Sequence, residues 1–219
     1  MTKEERQQLL IEKLSTMKSF DAQYKENGIF YVGGIDEAGR GPLAGPVVAA
    51  CVVLDDSFDV IGIDDSKKLS EKKREEFFEK ITSKALAYGV GILDNNVIDD
   101  INILQATKQA MRDAVSQAQK MLLKEKNHEI DHLLIDAVKI ENLEITQSAI
   151  IKGDTKSLSI AAASIIAKVT RDRIMMEYHQ EYPMYGFDSN KGYGTKVHYQ
   201  GIDQHGITPI HRRTFLKNL

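Results

Sequence analysis

Apolar positions change their spacing repeatedly along the chain, and each change predicts a new element. Residues 1 to about 25 are highly charged, with Leu9, Leu10, Leu14 and Met17 falling on one side of a helix. Phe30 to Asp36 reads as a strand and runs straight into the tight turn Gly39-Arg40-Gly41. Pro46 to Leu54 is an unbroken, valine-rich apolar run, the pattern of a strand buried on both faces. Ser70, with Glu71 in the first turn, opens a helix that runs to about Lys84. Leu86 to Leu93 is a third strand. A long helix is predicted from about Val97 to Lys126, with Ile101, Leu104, Met111, Val115, Ala118 and Leu122 as its buried stripe. His132 to Ile135 is a short strand ending on Asp136, and Thr146 to Ile151 another, ending before Lys152-Gly153-Asp154. Leu158 to roughly Tyr178 has the composition of a buried helix, and its Ala161-Ala162-Ala163-Ser164 run permits close approach to a sheet. Pro183 and Gly186 close this block and open a loop-rich tail.

This order predicts an α/β protein with a mixed sheet whose first three strands are mainly antiparallel, rather than a doubly wound parallel sheet. A helix between the second and third strands makes that connection the hardest to place. A length of 219 residues suits one core with a small appendage. The division expected is an N-terminal helical extension over 1–25 and a main domain over 26–219, with its C-terminal region starting near 183. The single cysteine, Cys51, excludes an internal disulfide framework and suits a reducing compartment. Its apolar setting makes it a core filler rather than a nucleophile. The charged N-terminus does not resemble a secretory signal, and no apolar stretch approaches the roughly 18 residues of a membrane helix. A soluble, cytoplasmic protein away from membranes is expected.

The net charge of −3, taken alone, argues weakly against a nucleic-acid partner, but its distribution changes that picture. From Gly186 onward, Lys191, Lys196, Arg212, Arg213 and Lys217 outnumber Asp188 and Asp203, with three histidines beside them. An acidic centre with basic flanks suits metal-assisted chemistry on a phosphodiester. The acidic centre begins in the run Gly34 to Pro46, where Asp36 and Glu37 end an apolar strand. Neighbours on a strand point to opposite faces, so both reach one site only where the pleat breaks, and the following glycines are expected to break it. A dinucleotide-binding turn is disfavoured, because the glycine spacing is wrong and Pro42 and Pro46 oppose a helix opening there.

Asp136 and Asp154 share this setting, each just beyond an apolar strand. Aspartates at strand ends are commonly plain turn formers. Four carboxylates at the ends of three neighbouring strands would repel one another, a cost that bound cations remove. With oxygen ligands only, and no thiolate or imidazole at suitable spacing, those cations are expected to be Mg2+ or Mn2+. Two such ions can bridge a phosphodiester.

The run Gly34 to Pro46 resembles the signature of type 2 ribonucleases H, the ribonuclease HII family. So do Asp65-Ser66-Lys67-Lys68-Leu69, Leu134-Ile135-Asp136, Lys152-Gly153-Asp154, Ile160 to Asp172, Lys191-Gly192-Tyr193-Gly194-Thr195 and His211-Arg212-Arg213-Thr214-Phe215. These motifs cover most of residues 30–215 in the family's order. The resemblance implies a ribonuclease H-like fold, a mixed five-stranded sheet flanked by helices with a C-terminal helical part. It implies endonucleolytic cleavage of RNA in RNA–DNA hybrids, and cleavage 5′ to a single ribonucleotide in duplex DNA, as ribonucleotide excision repair requires. Products would carry 3′-hydroxyl and 5′-phosphate ends. Asp36, Glu37, Asp136 and Asp154 match the family's catalytic and metal-binding acids. The backbone of Gly39, Arg40 and Gly41 matches the turn that meets the ribonucleotide's 2′-hydroxyl, and Tyr193 the ring that packs on the next sugar. Ala137 stands where many members have glycine, and residues 1 to about 25 extend beyond the minimal family core.

Several positions carry two readings. Asp172 competes with Asp154 as the fourth acid, but its helical position between Arg171 and Arg173 favours a structural ion pair. Ser66, Lys67 and Lys68 suit phosphate contacts or a solvated helix start. His211 and Arg212 are the tail's candidates for phosphate contact, and Tyr193 suits either substrate contact or simple packing. Ribonuclease HIII is the nearest alternative, but its glycine-lysine-glycine turn and sizeable N-terminal substrate-binding domain are absent from this sequence. A non-catalytic binding module gains nothing from four concentrated acids. A monomer is expected.

Overall fold

A computed structural model describes residues 2–25 and 28–217. The valine-rich run forms β2 (Val47–Val53), buried along its whole length. It lies between β1 (Val32–Ala38) and β3 (Ala87–Leu93), antiparallel to both. β4 (His132–Asp136) and β5 (Thr146–Ile150) continue the sheet beyond β1 as parallel neighbours, in the order β3-β2-β1-β4-β5. Val53 pairs with Ala87, so β2 and β3 form a hairpin whose connection is an excursion through residues 54–86. That excursion holds α2 (Glu71–Lys84), whose first turn is capped by the Ser70 hydroxyl and whose Phe77 and Ile81 are buried against the sheet's helical cover.

Each sheet face packs against one long helix. On one face Val48, Ala50 and Val52 meet Ala161, Ala162, Ala163 and Ile165 of α5 (Leu158–Glu181). The small residues allow very close contact: a Cβ on Gly34 would lie 2.1 Å from the Ser159 carbonyl carbon. On the other face Ile35, Val47, Ala49, Cys51 and Ile135 meet Ala110, Met111, Ala114 and Ala118 of α4 (Ile103–Lys126). Cys51 is fully enclosed there, and burial pushes its thiol pKa up to about 12, which leaves it unreactive.

The single helix expected over 97–126 is two. α3 (Asn95–Ile101) stops at Asn102, which adopts φ +66° and turns its side-chain oxygen to accept from the Leu104 and Gln105 N–H groups. An Asn tolerates that conformation and caps the next helix in the same step. Ile101 and Leu104 therefore leave the expected stripe and are exposed, while Ala106, Ala110 and Ala114 take the core-facing positions.

α1 (Lys3–Ala22) begins in a reciprocal cap between Thr2 and Glu5. Of its residues only Met17 and Asp21, both in its C-terminal half, are buried: Met17 enters the α5-side core, whereas Leu9 is exposed. Its Asp21 carboxylate accepts from the Ser159 N–H at 2.8 Å, which satisfies a free donor in the first turn of α5. The tail expected to be loop-rich contains α6 (Phe187–Asn190) and α7 (Lys196–His205) around a small core of Ala44, Met175, Tyr185, Phe187 and Ile210. No helix among the described residues is long and apolar enough to cross a membrane.

Candidate active site

The parallel part of the sheet determines where the acids lie. Ile35 of β1 pairs with Ile135 of β4, so Asp36 and Asp136, the next residue on each strand, lie side by side toward the same end of the parallel pair. Asp136 pairs in turn with Ile150, the last residue of β5. Lys152, at φ +55°, then turns the chain so that Asp154 sits in a buried 3-10 turn, Gly153–Thr155, ahead of α5. Carboxyl ends of parallel strands are where open α/β sheets place their sites. β1 itself runs on to Ala38, still paired with β2, so no break in the pleat falls between Asp36 and Glu37. The two acids leave opposite faces of one strand, yet both line the same cleft, and β4 ends at Asp136, level with Asp36.

Burial and mutual repulsion burden these acids. Asp36 is 7% exposed, and its pKa is raised well above the ordinary value by burial, then by Glu37, with Asp136 contributing further. Its carboxylate accepts from the Glu37 N–H at 2.8 Å. Glu37 is raised by burial and by Asp136, while Arg40, 3.2 Å from Oε1, pulls it down. Asp154 is raised by burial, then by Asp65 and Asp136. Asp136 accepts from the Gly153 N–H at 2.8 Å. Among the described residues, no three carboxylate, imidazole or thiol groups are gathered tightly enough to enclose an ion. The acids meet at one end of the sheet but lean toward Arg40 and the backbone.

The cleft beside them, about 350 Å³, is lined by Asp36, Glu37, Gly39, Arg40, Gly41, Ser66, Lys67, Ser164, Lys168, Arg171 and Tyr193. Gly39 stands at φ +94°, and a Cβ there would lie 2.1 Å from Nε of the buried Arg171, so position 39 requires glycine. Ser66 is buried with its hydroxyl 2.9 Å from that of Ser164, whereas Lys67 and Lys68 are exposed. Lys67 lies near enough to lower the pKa values of both Glu37 and Asp154. Tyr193 is 49% exposed and faces Gly41, whose Cβ position lies 3.5 Å from its ring.

Two tail candidates for phosphate contact are corrected by burial. Arg212 is 0% exposed and donates to the carbonyls of Gly39, Arg40, Gly45 and Pro46. His211 is 1% exposed and hydrogen-bonded to Thr208 and His198. A buried guanidinium must fill its donors locally, and the carbonyls of a tight turn supply the acceptors. Lys191 likewise turns inward, donating to the Asp188 carbonyl, so the basic surface of the tail is smaller than its composition suggests. Asp172 is buried in ion pairs with Lys168 at 2.6 Å and Arg74 at 3.6 Å, not with its sequence neighbours. Arg74 also donates to the carbonyls of Ser66 and Leu69, tying that loop to α5.

Ser164, Lys168 and Arg171 were not singled out by sequence reasoning. Their i, i+4, i+7 spacing carries the signal, since it places three polar groups on one stripe of a helix whose first half is mostly apolar. Arg171 donates to the carbonyls of Ala44, Pro46 and Lys191 and so bridges the glycine turn to the Tyr193 loop.

The donor set suits hard divalent cations. Glu37 Oε2 is buried with no hydrogen-bond partner among the described residues, and the carboxyls of Asp36 and Asp154 are held above their ordinary pKa values, a combination that a cation would relieve.

A five-stranded mixed sheet with acids toward the carboxyl ends of β1 and β4, covered by one long helix on each face, places the molecule among ribonuclease H folds. The Pyrococcus horikoshii ribonuclease H2 structure superposes with a TM-score of 0.67 at 28% identity, covering 84% of this chain and 93% of that one. Bst ribonuclease HIII, solved in complex with Mn2+, shares the fold with a TM-score of 0.59 at 19% identity, covering 83% of this chain and 64% of that one. In sequence, the chain is 54% identical to ribonuclease HII of Clostridioides difficile strain 630 over 208 residues, 95% of this chain and 78% of that protein. The family model for ribonuclease HII matches residues 33–218. The chain belongs to the ribonuclease HII family. It is therefore a metal-dependent hydrolase that cleaves the RNA of RNA–DNA hybrids.

Proposed function

We propose that the protein cleaves endonucleolytically both within RNA–DNA hybrids and 5′ to a single ribonucleotide in duplex DNA. Asp36, Glu37, Asp136 and Asp154 would hold two Mg2+ or Mn2+ ions, and products would carry 3′-hydroxyl and 5′-phosphate ends. When bound, the ions would activate the attacking water and stabilise the leaving 3′ oxygen. Asp36 and Asp136 would supply oxygens from side-by-side positions on adjacent strands, and Glu37 would do so through its buried Oε2, which has no hydrogen-bond partner among the described residues. Lys67, with Ser66 behind it, would meet the backbone phosphate close to the acids.

The observation that carries this reading is the arrangement of the cleft. The Gly39–Gly41 turn and the Tyr193 ring flank a space that opens onto Asp36 and Glu37. Backbone groups of the turn would meet the ribonucleotide's 2′-hydroxyl, and the tyrosine ring would pack on the following deoxyribose, where another 2′-hydroxyl would crowd it. Two sugars would be checked together, which selects an RNA-to-DNA junction. A single, fully buried cysteine, Cys51, would suit a reducing cytoplasm.

Initial cleavage rates on a duplex with one ribonucleotide and on a uniform hybrid, with chelator and with Mg2+ or Mn2+, test this. Activity should vanish in chelator and return with either ion. Tyr193→Ala should lower single-ribonucleotide cleavage about 10-fold or more, consistent with a lost stacking contact of ~1–3 kcal/mol. The hybrid should lose less, and Tyr193→Phe should be milder on both. Full activity in chelator would refute the metal reading; equal proportional losses would refute the junction reading.

A further inference from the structure

Resting on the junction reading of Tyr193, we propose that the segment Thr208–Arg212 sets the gap between the Gly39–Gly41 turn and the Tyr193 ring, with buried His198 and His211 as positioning residues. The segment reaches both sides of the cleft. On the turn side, Arg212 donates to the carbonyls of Gly39 at 2.6 Å and Arg40 at 2.9 Å, and its own N–H donates to Leu43. On the tyrosine side, His211 Nε2 lies 3.0 Å from His198 Nε2, and His198 Nδ1 lies 3.0 Å from the Tyr193 carbonyl.

The chemistry of these contacts permits one proton arrangement. The Thr208 N–H points at His211 Nδ1 at 2.9 Å, so that nitrogen accepts. A neutral His211 then carries its proton on Nε2 and donates it to His198 Nε2. His198 in turn carries its proton on Nδ1, which donates to the Tyr193 carbonyl. Every ring nitrogen is satisfied, and the chain of bonds runs in one direction from Thr208 to Tyr193. Burial favours the neutral forms: the His198 pKa is lowered, and that of His211 falls to about 4 through burial and the facing His198. Tyr185 and Phe187 pack edge-on against His198, which fixes its plane. The Asn95 side chain donates to the carbonyls of Pro209 and His211 and anchors the segment to α3.

Nothing here touches substrate. The effect must pass through the Tyr193 backbone, while the ring itself stays exposed and free to meet a sugar. A histidine pair that only filled a core would affect folding and leave substrate preference unchanged.

The test compares wild type, His198→Leu, His198→Asn and Tyr193→Ala by kcat/KM on the single-ribonucleotide duplex and on the uniform hybrid, each at a temperature where the protein is folded. His198→Leu should lose about 10-fold on the single-ribonucleotide duplex, approaching Tyr193→Ala, with a smaller loss on the hybrid. His198→Asn should recover most of that selectivity, because its amide can donate from the place of Nδ1. If Tyr193→Ala is selective and His198→Leu is not, the positioning role is overturned and the junction reading stands. If Tyr193→Ala is itself unselective, the junction reading falls first. Should His198→Leu fail to fold, nitrogen-15 spectra of the wild-type histidines decide: the expected forms at pH 7 are neutral His211 protonated on Nε2 and neutral His198 protonated on Nδ1. The reverse tautomers, or a charged ring, would overturn the proposal.

Discussion

Replacing Arg212 by methionine separates two roles that the His211-Arg212-Arg213 motif leaves open. As a phosphate contact, Arg212 would contribute to substrate binding and little to folding. In the structure its guanidinium donates four hydrogen bonds, at 2.6 to 3.1 Å, to the carbonyls of Gly39, Arg40, Gly45 and Pro46, and it lies over the Phe215 ring. Burial lowers its pKa to about 9, which still leaves it charged at neutral pH. Methionine keeps the apolar stem and much of the volume but abandons all four carbonyls. A buried acceptor left unsatisfied costs about 1–3 kcal/mol, so four carbonyls that partly relax or regain water should cost about 3–5 kcal/mol together. At this chain length ~1 kcal/mol shifts Tm by about 2–4 °C, so the variant should melt about 6–20 °C below wild type. Thermal unfolding by circular dichroism in chelator gives that number without interference from metal binding. Steady-state kinetics at several salt concentrations, below the variant's melting range, give the other half. The salt dependence of KM should match wild type, because no phosphate contact is lost. An unchanged Tm with a raised KM and a salt slope reduced by about one charge would refute the scaffold role.

Asp36→Asn should nearly abolish cleavage while raising metal-free stability, because it removes a buried charge facing Glu37 and Asp136. The native pKa values of Asp36, Glu37 and Asp154 are raised, so the native state binds protons more readily than the unfolded chain. Their penalty is absent below the unfolded values and fully present above the native ones, so the stability advantage of Asp36→Asn in chelator should grow as pH rises; an advantage that shrinks would reverse the sign. Asp154→Asn should impair turnover far more than Asp172→Asn, whose main effect should be lower stability through the loss of the Lys168 and Arg74 pairs; the opposite ranking in kcat would exchange their roles. Asp21→Ala should cost roughly 1 kcal/mol by uncapping α5, read as a lower denaturation midpoint, and an unchanged midpoint would detach α1 from the stability of α5.

Local pattern carries far in this chain because the elements are chemically distinct. The valine run of β2 is apolar on both faces and reads as a central strand without any partner being known. Ser70 and Glu71 mark the start of α2, and the small residues of α5 announce a close approach that Gly34 completes. The position of Asp136 at the end of its strand is equally legible, since it follows an apolar run, whereas β1 runs two residues past Asp36 because β2 continues to pair with it. The adjacency of the two acids is not legible: it comes from the Ile35–Ile135 pairing of parallel strands about a hundred residues apart, and register is a property of two strands together. The break at Asn102 was hidden for a related reason, because a positive φ and a side-chain cap leave the apolar spacing on either side nearly helical. Charge misled most. Arg212, Lys191 and His211 look like surface groups in composition, but tertiary contacts surround them with carbonyls and rings, and only that enclosure decides whether a cation meets a phosphate or the protein's own backbone.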